Sequence, residues 1–271
     1  VLWTRLVQPG NQLPPLDVTV RWELAHDAQF KRMAASGQAS AVAALAHSVH
    51  VEVAGLEPDR WYHYRFMVGD AVSATGRTRT FPAAGAAVKR LRLGYASCQH
   101  WEHGYYSAYR HMRGEDLDAV MFLGDYIYEY SGSSRGVRRS NPGPCVTLDE
   151  YRARYAHYKS DPDLQRMHMA CPWLMTWDDH EVQNDYAGST PGFPGGEGVD
   201  FAARRAAAYQ AYYEHMPLRT SVLTQALAGL GQGAEMRIYG RVPYGNLATL
   251  YLLDDRQYRD PQACTKDGRF G

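Results

Sequence analysis

The feature that most constrains the fold is a change of hydrophobic rhythm near residue 88. Before it, apolar and aromatic residues recur at every second position. "SVHVEVAGL" at 48–56 alternates cleanly, "VTVRWELA" at 18–25 partly, and "WYHYRFMV" at 61–68 sets aromatic side chains at period two. The opening "VLWTRLV" is strand-like from its first residue. Such alternation marks strands with one buried face, here separated by turn residues. After residue 88, short apolar runs alternate with helical segments. "RLRLGYASC" and "LDAVMFLGD" read as strands, with "GYYSAYRHMRG" a helix between them. "TLDEYRARYAHYKS" opens with Thr147 and Glu150 at capping-box spacing, and Asp161 and Pro162 supply the cap and first position of a second helix. "PWLMTWDDHE" is the next strand with its exit loop; "VDFAARRAAAYQAYYEHMP" is a helix, and "EMRIYGRVPYG" and "LATLYLLDDRQYR" are strands. A β-sandwich over 1–88 followed by an α/β sandwich over 89–271 is the expected architecture, with the small, apolar "FPAAGAAV" at 81–88 as linker.

Size agrees, since 271 residues exceed the roughly 100 to 200 of a usual single domain. Charge narrows the partner: 29 Lys plus Arg balance 29 Asp plus Glu, which removes the electrostatic case for a nucleic-acid or anionic-membrane partner and favours a small, locally bound substrate. No apolar run approaches the roughly 18 to 20 residues of a membrane span. The first residues carry neither Met nor a signal region, so the chain reads as cut from a longer precursor.

Chemistry is concentrated where strands end. Cys98 follows "LGYAS", Asp125 follows "VMFLG", and Asp178, Asp179 and His180 follow "LMTW". In α/β layers, sites form at the carboxyl ends of strands, and three bursts of potential metal ligands on one edge describe a catalytic site. Gly124 lets the chain turn sharply into Asp125, and Tyr128 lies three residues on. In calcineurin-like metallophosphoesterases the corresponding motif is Gly-Asp-x-x-Asp, and "WDDHE" resembles their Gly-Asn-His-Asp/Glu. Here Tyr replaces an Asp, and a Cys stands in place of the opening Asp-x-His.

Those departures narrow the family. "ASCQ", "FLGDYIYEY", "WDDHEVQND" and "LDDRQYR", preceded by an immunoglobulin-like domain, resemble the alkaline phosphatase D (PhoD-type) family of secreted bacterial phosphatases and phosphodiesterases. The likeness covers essentially the whole chain, in order. It implies an immunoglobulin/fibronectin-type β-sandwich followed by a metallophosphoesterase domain that hydrolyses phosphate mono- and diesters with metal-activated hydroxide. It implies Fe(III) held by Cys98, Asp125 and Tyr128, with Asp125 bridging to Ca(II) and Asp178 or Asp179 on the calcium side. A trivalent cation lowers the pKa of a bound thiol, phenol or water, so Cys98 and Tyr128 can bind deprotonated at neutral pH. His180 is placed to protonate the leaving oxygen or orient the phosphate, and Arg256 to fork onto phosphate oxygens, unless Asp254 and Asp255 hold it in a structural ion pair. Family location would be secreted, periplasmic or cell-surface.

The remaining signals are structural. "GLEPDRWYHYRF" resembles a tyrosine corner, with Tyr62 and Tyr64 read as core packing and a corner hydrogen bond. Cys145 and Cys264 lie in loop sequence and are a plausible disulfide pair, whereas Cys171 reads as buried and free. After His180 the only histidine is His215, and the later metal ligands of metallophosphoesterases are lacking. The chain is therefore expected to be the amino-terminal part of a longer enzyme. A different class remains open: a cell-surface binding protein whose phosphatase-like half is degenerate.

Overall fold

Two antiparallel sheets arise from the period-two segments. The computed structural model describes residues 1–8, 13–132, 136–140, 143–192, 198–223 and 235–263. Strand β1 (Leu2–Arg5) pairs with β4 (Ser48–Val51), Leu2 opposite Val51. The second sheet is centred on β2 (Val18–Ala25), flanked by β3 (Met33–Ala41) and β5 (Trp61–Val68); β6 (Ala71–Val72) and β7 (Gly76–Arg79) both pair with β5. Leu2, Val49 and Val51 of the first sheet form one buried cluster with Val20, Leu24, Ala41, Tyr62 and Phe66 of the second. The Tyr62 hydroxyl donates to the Glu57 carbonyl at 3.4 Å.

Strand β3 carries no hydrophobic alternation, and its packing explains why. Trp22 lies opposite Gly37, where a Cβ would stand 2.8 Å from the indole, and Tyr64 covers Gly76, where it would stand 2.3 Å from the ring. The aromatic residue on one strand supplies the apolar surface and the glycine opposite leaves room for it.

In the second half, β8 (Leu93–Ala96), β9 (Ala119–Leu123) and β10 (Trp173–Thr176) are parallel, in the order β10-β9-β8. Helix α1 (Ser107–Met112) lies between β8 and β9, while α2 (Leu148–Tyr158) and α3 (Pro162–His168) lie between β9 and β10. Because helical crossovers return the chain to the same end, all three strands point their carboxyl ends to one edge. The expected caps are present: Thr147 and Glu150 form a reciprocal capping box on α2, and Asp161 accepts from Asp163 and Leu164 at 3.0 and 3.1 Å. Helix α4 (Phe201–His215) packs against α2, and a core rich in tyrosine (Tyr126, Tyr151, Tyr155, Tyr209, Tyr212) fills the layer.

Two cysteine readings meet the structure differently. Cys145 is not at a loop surface but 1% exposed in this core, its thiol facing the Glu150 carbonyl at 3.6 Å and pushed up to about 12 by burial. Its expected partner Cys264 lies outside the described residues. Cys171 is buried and free.

The segment at 81–88 is no loose tether. A hairpin of β11 (Gly240–Tyr244) and β12 (Ala248–Leu252) grips it: Gly85 N–H donates to Gly245 O at 3.3 Å and Asn246 N–H to Ala86 O at 2.8 Å. Between the halves, Trp3 Nε1 donates to Glu214 O at 3.2 Å, Arg77 N–H to Met169 O at 2.7 Å, and Arg79 pairs with Asp118.

Candidate metal centre

The backbone brings the strand exits together before any side chain does. Cys98 N–H donates to Gly124 O, and Gln99 N–H to Asp125 O, both at 3.1 Å, which extends the β8–β9 pairing into the loops. Both Cys98 (φ 54°) and Asp125 (φ 57°) occupy the left-handed region, which costs a non-glycine residue roughly 1–2 kcal/mol each. Gly124, at φ +105°, lies against the exit of β10: a Cβ there would stand 2.4 Å from the Asp178 nitrogen. Glu181, 1% exposed, ties the two exits together by accepting the N–H groups of Asp125 at 3.1 Å, Tyr126 at 2.5 Å and Asp178 at 2.9 Å.

Side chains then fall into two sets that share one residue. On one side, Cys98 lies close enough to Asp125 and Tyr128 for each to shift its pKa, and the Tyr128 hydroxyl donates to Asp125 Oδ2 at 3.2 Å. On the other, one ligand atom each from Asp125, Asp179 and His180 lie within 4.8 Å of one another, all three residues buried. Asp125 Oδ1 is buried and accepts no hydrogen bond among the described residues. Burial pushes the Asp125 carboxyl up to about 6, with His180 opposing and Asp179 and Asp178 adding. Burial also raises Cys98 and Tyr128, with Asp125 adding to both. Acids that raise one another's pKa, around a carboxylate oxygen with no donor, are a donor set suited to a cation, whose charge reverses each of those shifts.

Comparison with known proteins identifies the family. A family profile described as PhoD-like phosphatase matches residues 93–270, and one described as PhoD-like phosphatase, N-terminal domain, matches residues 1–82. The chain belongs to the PhoD-like phosphatase family. It is 49% identical over 272 residues to alkaline phosphatase D of Bacillus subtilis (strain 168), an alignment covering 97% of this chain and 45% of that protein. A solved structure described as "Structure of PhoD" superposes with a TM-score of 0.89 at 49% identity, over 97% of this chain and 50% of that one. The chain thus spans about half the length of these relatives.

Within this PhoD-like site, the paired aspartates divide. Asp179 joins Asp125 and His180, and its Oδ2 accepts the Asp185 N–H at 2.6 Å. Asp178 instead accepts from Arg256 Nε at 2.6 Å. A second Arg256 nitrogen lies 3.5 Å from Asp179 Oδ2, and a third donates to Tyr186 O at 3.4 Å. The ion-pair partners of Arg256 are therefore Asp178 and Asp179, not Asp254 or Asp255. Asp254 takes the N–H groups of Arg256 and Gln257 at 3.1 and 2.9 Å and so shapes the turn.

His180 presents Nδ1 to Glu129 at 2.7 Å. Burial works against its charge, but the Glu129 contact, reinforced by Asp179 and Asp125, carries its pKa up to about 9. Its ring rests on Tyr128, with centroids 4.2 Å apart. Glu129 also accepts the Asn184 N–H at 2.8 Å. Glu129 and Glu181 are the two residues that strand-end reasoning passed over. Their signal was present: Glu129 stands among the tyrosines of "GDYIYEY" and Glu181 directly follows His180 in "WDDHE", and a buried acid needs donors. His100, stacked on His103 at 4.0 Å and tilted over Tyr128 at 4.3 Å, closes the aromatic wall.

Proposed function

We propose that this chain carries the phosphate mono- and diester hydrolysis of a PhoD-type alkaline phosphatase, centred on Asp125. The observation that supports it is that Asp125 belongs to both donor sets and keeps one buried oxygen unpartnered. The family resemblance extends the reading to an immunoglobulin-like sandwich over 1–88, a metallophosphoesterase domain over 89–271, and a secreted or cell-surface location. No helix among the described residues is long and apolar enough to cross a membrane.

Cys98, Asp125 and Tyr128 would hold Fe(III), and Asp125 with Asp179 would hold Ca(II). Such ions supply Lewis acidity, lowering the pKa of water and neutralising phosphoryl oxygens. The chain's own residues set the geometry. Glu181 fixes the two exits that carry Asp125 and Asp178. His180, anchored through Nδ1 by Glu129, whose carboxylate favours its charged form, would offer an Nε2 proton to the leaving oxygen. Arg256 spends its donors on Asp178, Asp179 and Tyr186, so it acts by positioning the aspartates rather than by gripping phosphate.

The test is metal content together with turnover of p-nitrophenyl phosphate and its bis ester, after supplementation with both ions. Asp125→Asn is expected to lose metal and activity together. Iron held by thiolate and phenolate should give a visible charge-transfer band that Tyr128→Phe shifts or abolishes. An iron-free protein that keeps its function under chelation would instead establish the binding-protein alternative.

A further inference from the structure

A concavity lies away from the candidate metal centre, between the two halves. Its volume is about 530 Å³, within the range of small-molecule sites. One wall comes from the first half, with Trp3 and Arg5 of β1 and Tyr64 and Phe66 of β5; the other comes from α2 and α3, with Lys159, Leu164 and His168. Most of this surface is aromatic or aliphatic, and among the described residues lining it there is no Asp or Glu.

Its charge is therefore one-sided. The Lys159 ammonium lies 4.5 Å from the centre of the Trp3 ring and 5.0 Å from that of Tyr126, with no carboxylate at ion-pair distance among the described residues. Arg5 donates Nε to the Ala46 carbonyl at 3.0 Å and has no carboxylate at ion-pair distance among the described residues; Glu214, paired with Arg152 at 2.6 Å, offsets its charge only in part and from further off. His168 and His215, also lining the space, are held neutral by burial. Two cations thus face an apolar cavity; burial lowers the pKa of both, Arg5 adds to the lowering at Lys159, and at Arg5 Glu214 opposes it while Arg152 adds. Cations kept in such a place without a counter-charge are costly unless something anionic joins them.

We infer that this cavity binds an amphipathic anion, an alkyl or aryl body in the apolar space with one anionic group against Lys159 and Arg5. The ligand would touch both halves at once. Body and head make separable demands: contacts with Trp3, Tyr64, Phe66 and Leu164 require only an apolar chain, whereas Lys159 and Arg5 require its charge.

The probe is decanoate below its micellar concentration, with decan-1-ol as the uncharged match; a carboxylate is used because a phosphorylated probe would also enter the metal centre. Calorimetry on the whole chain is expected to show one saturable decanoate site. Lys159→Met should weaken decanoate at least tenfold while leaving decanol binding unchanged. Ala156→Trp, which places a large ring in the same space, should weaken both. Absence of saturable decanoate binding by the wild type, or equal affinity in Lys159→Met, would overturn the inference. Because neither substitution touches the metal centre, phosphatase activity can fail or hold independently of this outcome.

Discussion

At the scale of single residues, the site depends on one position that admits no side chain. Gly124 combines φ +105° with a neighbour 2.4 Å from where a Cβ would lie, and that neighbour is the backbone of Asp178. Gly124→Ala is therefore expected to cost on the order of 2–4 kcal/mol and to separate the exits of β9 and β10; a denaturant midpoint within error of wild type would refute the close approach. Arg256 is a second case. Arg256→Ala leaves Asp178 and Asp179 without their cation, so kcat and metal affinity should fall together, whereas a phosphate-gripping arginine would chiefly raise KM. This distinction was beyond the sequence. The bursts at Cys98, Asp125 and Asp178 to His180 were legible because polar residues ending apolar strands stand out in one dimension. Which aspartate faces His180 and which faces Arg256 depends on how two loops cross.

At the scale of elements, legibility followed local chemistry. The bounds of β2 and β5 coincide with their alternating segments, and α2 and α3 begin at the caps that name them. Strand β3 was invisible, since its apolar cover is borrowed from Trp22 across the sheet. The cap of α2 gives a direct check: Thr147→Ala is expected to cost about 1 kcal/mol with no change in turnover, measured by urea unfolding. Glu181 should behave oppositely. Its carboxylate serves three backbone donors on two loops, so Glu181→Gln should reduce metal retention and turnover well before it alters the unfolding midpoint by a comparable amount. Unchanged metal retention in Glu181→Gln would show that the loops hold their positions without it.

At the scale of the whole molecule, the two halves are joined by groups that neither half's pattern announces. Arg79 on β7 reaches Asp118 just before β9, and Lys159 at the end of α2 lies against Trp3 of β1. A period-two segment and a capped helix report their own buried faces, but not which of their charged residues meet across an interface. Lys159 turns that contact into a measurable pH effect. Burial, with Arg5 adding, pushes its ammonium from 10.5 down to about 7. An unfolded lysine titrates near about 10.4, so between about pH 7 and that value the unfolded chain holds a proton that the folded chain has released. Stability from this group therefore rises with pH across the window, and below it the buried charge is a constant penalty. Lys159→Met removes both the penalty and the slope. Its advantage over wild type in urea midpoint should be largest near pH 6 and should shrink steadily toward pH 9. Parallel midpoints at every pH would mean that the ammonium stays fully solvated in the folded protein, and that the cation-lined cavity does not constrain it.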